Sequence, residues 1–331
     1  MGMIPLIGGV LEESGQMDSL INNLRLGKRN LLAVIPALFG LLPMPGGAIL
    51  SCPLVERIYP EGTGIHKSVV NVWFRHLLIL IYPISPALIV SCKIVGLEVY
   101  RAIIFLLPWA IYSFILGYVF FLRKVKGEMT YKMRFSLKEL AIPLLVILLA
   151  PIINFCLQKF VNLRPANLST FLGVSMSLLV GILLSKTKIN LSQIAIKMRT
   201  WNFALIIFGM FLFVNVFKSS PVASLFADLP ITREMLGLAG GFILGFFTGR
   251  VQLPASIILP IYLVRFGNIS PFNFSLIYVS IFFGYMISPV HPCACVSVAY
   301  FGTKLKNFLK VMSSPTIILI ITIYLVFKFI L

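Results

Sequence analysis

Residues 82–86, Tyr-Pro-Ile-Ser-Pro, and residues 285–289, Tyr-Met-Ile-Ser-Pro, decide the fold, because nearly the same five residues interrupt two apolar segments 203 positions apart. The same spacing relates Gly46 to Gly249, which lie near the middles of two further apolar segments. Clusters of proline and glycine break helices. A single spacing therefore relates each of two interrupted segments to a later, similar segment, which predicts an internal repeat.

The composition around these breaks is that of a membrane protein. Of the 331 residues, 59% are hydrophobic and only 11% are charged, whereas soluble domains carry roughly a quarter of charged residues. Apolar runs of about 18 residues or more can cross a bilayer as helix. The runs also lack the alternation of β-barrel strands. We therefore predict an all-α polytopic membrane protein, located in the cell (cytoplasmic) membrane.

The net charge of +18 argues for a membrane surface and against nucleic acid, because the basic residues sit between apolar segments. If the ends of the first hairpin are cytoplasmic, 18 basic residues fall inside and 8 outside. This bias fits the positive-inside rule. The lipid bilayer is thus the expected partner, nucleic acid is not, and a homodimer is an assembly that the sequence allows.

Two kinds of interrupted segment occur twice. Segments 30–58 and 235–264 have arms of about a dozen residues, too short to span, and read as re-entrant helical hairpins. Segments 66–95 and 274–300 read as Pro-broken transmembrane helices. Five crossings are predicted between the hairpins, at 66–95, 99–122, 140–157, 168–185 and 201–217. Because five is odd, the repeats are inverted, as is common in secondary transporters. The predicted units are a first repeat at 1–122, a basic cytoplasmic loop at 123–139 and a second repeat at 140–331.

The two repeats differ in length at their starts. Plain spans near 140–157, 168–185 and 201–217 precede the second hairpin, whereas only a fragment precedes the first. The first repeat therefore reads as truncated at its N-terminus, by roughly 60 residues if it matches the second.

Three motifs carry a family resemblance. Gly40-Leu41-Leu42-Pro43-Met44-Pro45-Gly46-Gly47-Ala48, Asn71-Val72-Trp73-Phe74-Arg75-His76 and Ser288-Pro289-Val290-His291 resemble an uncharacterised prokaryotic membrane family, domain of unknown function 401. That family is grouped with the ion transporter superfamily, whose members include divalent-anion/sodium symporters, gluconate permeases and arsenite permeases. The resemblance implies an inverted-repeat fold with hairpin tips and broken helices around the substrate.

The candidate binding residues lie at these tips and breaks, where unpaired backbone groups are tolerated only against protein or a watery cavity. Glycine at a tip allows close backbone approach to a ligand or simply a tight turn, and a serine at a break can bind an oxyanion or cap a half-helix. An arginine at a tip can bind an anion or reach the headgroup layer. The candidates are Pro45, Gly46, Gly47, Ser51, Ser85, Pro86, Thr248, Gly249, Arg250, Gln252, Ser288, Pro289 and His291.

Four polar residues of the first broken helix form a second group, Asn71, Arg75, His76 and Tyr82. Spacings of four and seven put Asn71, Arg75 and Tyr82 on one helical face. They are expected to bind substrate or to form a structural hydrogen-bond network. His76 and His291 titrate near neutrality, and each can carry a coupled proton or be a structural histidine.

No acidic residue lies inside a predicted span, and two arginines do, which favours an anionic solute. We expect a secondary active transporter of a small anion, coupled to Na⁺ or H⁺. The alternative is a non-transporting membrane protein, either a truncated remnant or an interaction subunit. Enzyme motifs are absent. His291, Cys293 and Cys295 are soft ligands without an evident fourth partner, so no metal site and no cofactor beyond a coupling Na⁺ are expected.

Overall fold

The computed structural model describes residues 3–41, 47–129, 134–161, 166–198 and 230–330, with scattered residues between 201 and 219. Every regular element in these ranges is helical. In chain order the helices are α1 Ile4–Glu13, α2 Gln16–Asn23, α3 Lys28–Gly40, α4 Gly47–Ile58, α5 Gly64–Leu80, α6 Pro86–Val95, α7 Val99–Leu122, α8 Leu137–Lys159, α9 Ala166–Leu183, α10 Leu191–Met198, α11 Met235–Thr248, α12 Gln252–Phe266, α13 Pro271–Met286, α14 Pro292–Tyr300 and α15 Leu305–Ile330. The end of α7 and the start of α11 are π-helical.

Three helices, α7, α8 and α15, are long and apolar enough to cross a membrane, and five shorter apolar helices accompany them. Large apolar side chains remain exposed along all three, among them Ile104 at 67%, Ile152 at 51% and Phe329 at 78%. Such surfaces are costly in water and are expected against lipid. The fold is therefore that of a membrane protein. The predicted spans 99–122, 140–157 and 168–185 are confirmed as helices, whereas most of 201–217 lies outside the described residues.

Both predicted broken helices are interrupted in the structure. α5 ends at Leu80 and α6 begins at Pro86, while α13 ends at Met286 and α14 begins at Pro292. Proline suits the first position of a helix because its missing N–H has no intrahelical partner there. The separation in sequence between the two helix ends equals that between the two helix starts. This separation is three residues larger than that between the two matching sequence motifs. By element position, the counterpart of Ser85 is therefore His291 rather than Ser288.

The two predicted hairpin regions each form a pair of helices that pack together, α3 with α4 and α11 with α12. In the second pair Tyr262 lies beside Gly237 and Ile258 beside Gly240, so the helices are antiparallel. Their turn begins at Gly249, whose φ of 59° is left-handed and is favourable only for glycine among common residues. The tip of the first pair, residues 42–46, lies outside the described residues.

α5 and α13 form the centre of the molecule, and their middle turns are buried on nearly all sides. α3 packs against α5, and α11 packs against α13. Glycine permits this closeness, because a Cβ at Gly40 would overlap the backbone oxygen of Arg75 and one at Gly245 would overlap that of Ile281. The glycines of α11 thus pack mainly on α13, not chiefly on the other arm of their own hairpin.

The hairpins also reach across the chain. α4 packs against α14, the end of the second broken helix, and α12 packs against α6, the end of the first. Each hairpin therefore contacts the broken helix of the other half of the sequence. This exchange brings residues from the two halves into one interior.

The amino-terminal helices dock on the plain spans. α1 packs on α9 and α10, and α2 packs on α8. The Ser19 hydroxyl donates to Glu139 at 2.8 Å, and Lys186 pairs with the same carboxylate at 2.6 Å. These two contacts tie α2 and the segment after α9 to the start of α8. The short helix α10 was not anticipated from the sequence.

Candidate functional site

A buried polar cluster occupies the place where α4, α5, the end of α13 and the start of α14 meet. α5 contributes Arg75 and His76, which are 4% and 2% exposed. α4 contributes Ser51, whose hydroxyl accepts a hydrogen bond from the Arg75 guanidinium at 3.4 Å. An arginine this deep among apolar helices is costly unless polar groups surround it. Polar groups are therefore expected around Arg75.

Two histidines stand together beside Arg75. The rings of His76 and His291 are 4.7 Å apart, and the ring of Tyr285 lies 4.2 Å from that of His291. His76 Nδ1 lies 2.6 Å from the backbone oxygen of Val72. Since a carbonyl only accepts, Nδ1 carries the proton. In neutral imidazole Nε2 is then an acceptor, and the Tyr285 hydroxyl donates to it at 3.1 Å.

His291 is oriented in the same way. Its Nδ1 lies 3.3 Å from the backbone oxygen of Met286 and donates to it. Its Nε2 is fully buried and has no hydrogen-bonding partner among the described residues. Cys293, at the start of α14, completes the cluster: its sulfur and one ring nitrogen of each histidine lie within 4.8 Å of one another.

The Cys293 sulfur also interacts with the guanidinium of Arg75. The cluster therefore holds one permanent positive charge, two imidazoles, a phenol, a hydroxyl and a thiol. It can donate hydrogen bonds to an anion through Arg75 and Ser51, and its imidazoles and thiol also carry nitrogen and sulfur lone pairs.

A second polar layer supports the cluster one helical turn away. The Asn71 amide donates to the Ser297 hydroxyl at 2.9 Å and to the Cys52 sulfur at 3.3 Å. The Ser68 hydroxyl bonds the backbone oxygen of Ser297 at 3.2 Å. α4, α5 and α14 are thus held together by polar contacts as well as by packing. The network interpretation of Asn71 accounts for its amide group, while its oxygen is buried without a described partner.

Tyr82 does not join Asn71 and Arg75, contrary to the spacing argument. α5 ends two residues before it, and its hydroxyl donates to the backbone oxygen of Ile147 on α8 at 3.4 Å. The reason is Pro83, since a residue before proline is disfavoured in helical conformation. Tyr82 thus anchors the first break to a plain span.

The serines and prolines of the two breaks have separate roles. Ser85 is buried immediately before α6, and Pro86 is the first residue of that helix. Ser288 is fully buried, and its hydroxyl accepts from the backbone N–H of Val290 at 3.2 Å. Pro289 lies within the second break. Ser288 therefore stabilises the local turn within the break, whereas the N-terminus of α14 has no side-chain cap.

The structure describes the tip of the second hairpin region, but not residues 42–46 at the tip of the first. Pro45 and Gly46 lie outside the described residues, and Gly47 is the first residue of α4. Gly249 lies against Val290, so the second tip touches the second break. The remaining candidates at that tip are Thr248, which donates to the backbone oxygen of Leu244 at 2.7 Å, half-buried Gln252 and exposed Arg250.

Of the predicted site residues, the structure brings together Ser51, Asn71, Arg75, His76 and His291. It adds Tyr285, Cys293, Cys52 and Ser297, which were not among the candidates. Cys293 and Tyr285 flank the second break, and this position could have identified them as candidates from the sequence. Ser297 and Cys52 carried none, because an isolated serine or cysteine in an apolar helix is commonly a packing residue.

Comparison with known proteins identifies a family and assigns no activity. No curated protein matches the chain. The family described as "Protein of unknown function (DUF401)" matches residues 1–330. With all but the last residue covered, the chain belongs to the DUF401 family.

Proposed function

We propose that this chain is a secondary active transporter of a small anionic solute, coupled to Na⁺ or H⁺, and multi-pass in the cell membrane. The observation that carries the proposal is Arg75, a buried cation in a polar cluster built from both halves of the sequence. Ionisable groups at membrane depth generally mark a substrate or ion pathway. A site between two halves can open to either side as they move.

The packing supports an inverted repeat as part of this proposal. The pairs α3–α5 and α11–α13 correspond, as do α4–α14 and α12–α6. Gly40 against Arg75 and Gly245 against Ile281 are the same close contact, at nearly the same offset along the chain. The re-entrant placement of the helix pairs and the kinship with the ion transporter superfamily belong to the same proposal.

The chemistry of the cluster supports an anion as the solute. Arg75 offers a planar fork that suits carboxylate, phosphate or sulfate, and the Ser51 hydroxyl adds a donor. α14 begins at the cluster, and the partial positive charge of a helix N-terminus favours anions. An anionic solute would be attracted by both of these charges.

Both coupling ions have candidate carriers here. His76 and His291 can take up a proton beside the solute, and the interrupted backbones at 81–85 and 287–291 expose carbonyl oxygens of the kind that hold Na⁺ in broken transporter helices. These alternatives give different ion dependences, which a single uptake assay separates.

The test is uptake by the purified chain in liposomes, under an inward Na⁺ gradient or an inward proton gradient. The solutes are labelled carboxylates, phosphate, sulfate and arsenite. We expect gradient-driven uptake of at least one anion, lost in Arg75→Gln and retained in Arg101→Gln, which alters an exposed arginine at the start of α7. Absence of uptake and of binding across the panel, or equal loss in both variants, would contradict the proposal.

A further inference from the structure

The starting observation is an unsatisfied ring nitrogen in the interior. His291 has no exposed surface, and its Nε2 has no partner in the described part of the chain. A buried polar atom left without a hydrogen bond destabilises the folded protein. Such an atom calls for an explanation, an unplaced ion or ligand among them.

Two further potential ligand atoms lie close to the His291 ring. One ring nitrogen of His76, one ring nitrogen of His291 and the Cys293 sulfur lie in one group, His76 coming from α5 and the other two residues from the second break and α14. Both imidazoles donate Nδ1–H to a backbone oxygen, of Val72 and of Met286. Metal-binding histidines typically have this second hydrogen bond, because it fixes the tautomer and aims Nε2 at the ion.

We propose that His76, His291 and Cys293 form a binding site for a soft, monovalent metal ion such as Cu⁺. The ligands are two neutral imidazole nitrogens and one thiolate sulfur. The proposal concerns metal binding alone and holds whether or not the chain transports an anion.

The identity of the ion follows from the donor set and its surroundings. Thiolate selects Cu⁺, zinc and iron–sulfur clusters, whereas oxygen ligands would be needed for Mg²⁺ or Ca²⁺. When the ion binds, the Cys293 thiol releases its proton to solvent and becomes the one anionic ligand, and the Arg75 guanidinium interacts with that same sulfur. In a low-dielectric interior, uncompensated charge is expensive. A dication would leave two net positive charges in the cluster and Cu⁺ only one.

The geometry requires a small closure. The three ligand atoms lie within 4.8 Å of one another. With bonds to the ion of about 2.0–2.3 Å, ligand atoms around one centre lie roughly 3.3–3.8 Å apart. Rotation of Cys293, which is half-buried, and release of the Tyr285 hydroxyl from His76 provide this movement.

The experiment is a competition for Cu⁺ between the purified full chain, in detergent under anaerobic reducing conditions, and the coloured chelator bicinchoninate. We expect the chain to withdraw one ion per molecule. Cys293→Ser and His291→Asn should weaken this by about tenfold or more, since even losing an outer partner of a ligand costs about 10–100-fold. Cys295→Ser is the matched control, because Cys295 is two residues away, exposed, and contacts the backbone oxygen of Pro289 instead.

A measurement on the unmodified chain guards against variants that fail to fold. The X-ray absorption fine structure of the Cu⁺-loaded protein should contain two nitrogen neighbours and one sulfur neighbour. The site would be overturned by failure to compete with the chelator, by equal weakening in Cys295→Ser, or by an all-sulfur coordination shell. Tighter retention of Zn²⁺ than of Cu⁺ would overturn the monovalent assignment.

Discussion

Arg75 places a permanent charge in the interior, where it contacts the Ser51 hydroxyl, interacts with the Cys293 sulfur and lies near the His291 imidazole. If the guanidinium binds the solute through two parallel hydrogen bonds, charge alone is an incomplete substitute for it. Arg75→Lys should therefore retain uptake with a KM raised about tenfold or more, the loss of one charge-assisted hydrogen bond of about 1.5–3 kcal/mol. Initial rates over a range of solute concentrations measure this.

The control for this change is Arg101→Lys, at an exposed position of α7. Its KM should equal that of the unmodified chain. A lower maximal rate with an unchanged KM in Arg75→Lys would show that Arg75 supports the structure and does not hold the solute.

Cys293 and Cys295 illustrate, at the scale of single residues, what the sequence could and could not predict. Successive residues of a helix turn by about 100°, so residues two apart point to different sides. The motif suggested both cysteines as soft ligands, but only Cys293 faces the cluster. Its partner His76 lies in the other half of the sequence, and no local pattern could reveal that proximity.

Among the elements, the closest contacts are those between α3 and α5 and between α11 and α13. A Cβ at Gly40 or Gly245 would overlap backbone oxygen, which cannot rotate away as a side chain would. The helices must then separate. We expect Gly40→Ala and Gly245→Ala each to lower the free energy of unfolding by about 1–3 kcal/mol, the usual cost of overpacking.

Thermal unfolding in detergent measures the effect, and Gly27→Ala provides the comparison, because a Cβ there meets no atom within 4 Å. Gly40→Ala should also impair uptake more than Gly245→Ala, since the overlapping oxygen belongs to Arg75. Equal stability of all three variants would mean that these helices are not packed so closely.

An ion pair joins the start of α3 to the loop after α4. Lys28 is 9% exposed and pairs with Glu61, whose pKa is lowered chiefly by this hydrogen bond. A carboxyl whose pKa is lowered on folding adds stability above its unfolded pKa, about 4.3 for Glu, and loses it as the pH falls through the folded value.

The midpoint of thermal unfolding should therefore fall on acidification from pH 6 to below about pH 4, and Glu61→Gln should remove part of this fall. Glu128→Gln is the control, because Glu128 is exposed and makes no ion pair with described residues. Identical pH curves for the unmodified chain and Glu61→Gln would contradict the expectation.

Helix types and breaks could be predicted from the sequence because proline and long apolar runs act locally. The partners of these elements could not. The repeated motif aligned Ser85 with Ser288. The helix ends, however, are related by an offset that is three positions larger, because α13 continues three residues further along the motif than α5 does. Likewise, Gly237, Gly241 and Gly245 recur every four residues in the sequence, but this spacing alone could not reveal that they pack against α13.

At the scale of the molecule, the exchange of hairpins between halves brings Cys52 of α4 to within 3.7 Å of the Ser297 hydroxyl on α14. A disulfide needs sulfur atoms about 2.05 Å apart, which a small side-chain rotation can provide. Ser297→Cys should therefore form a disulfide with native Cys52 when treated with diamide. Peptide mass spectrometry detects the linked pair, without any need for transport activity.

This bond would also fix the two walls of the proposed site to each other. If access alternates by movement of one half against the other, uptake should stop on oxidation and return on reduction, because α4 and α14 belong to different halves. Ser297→Cys combined with Cys52→Ser should be insensitive to the oxidant. If the disulfide forms efficiently and uptake is undiminished, α4 does pack on α14, but their relative motion is not the transport step.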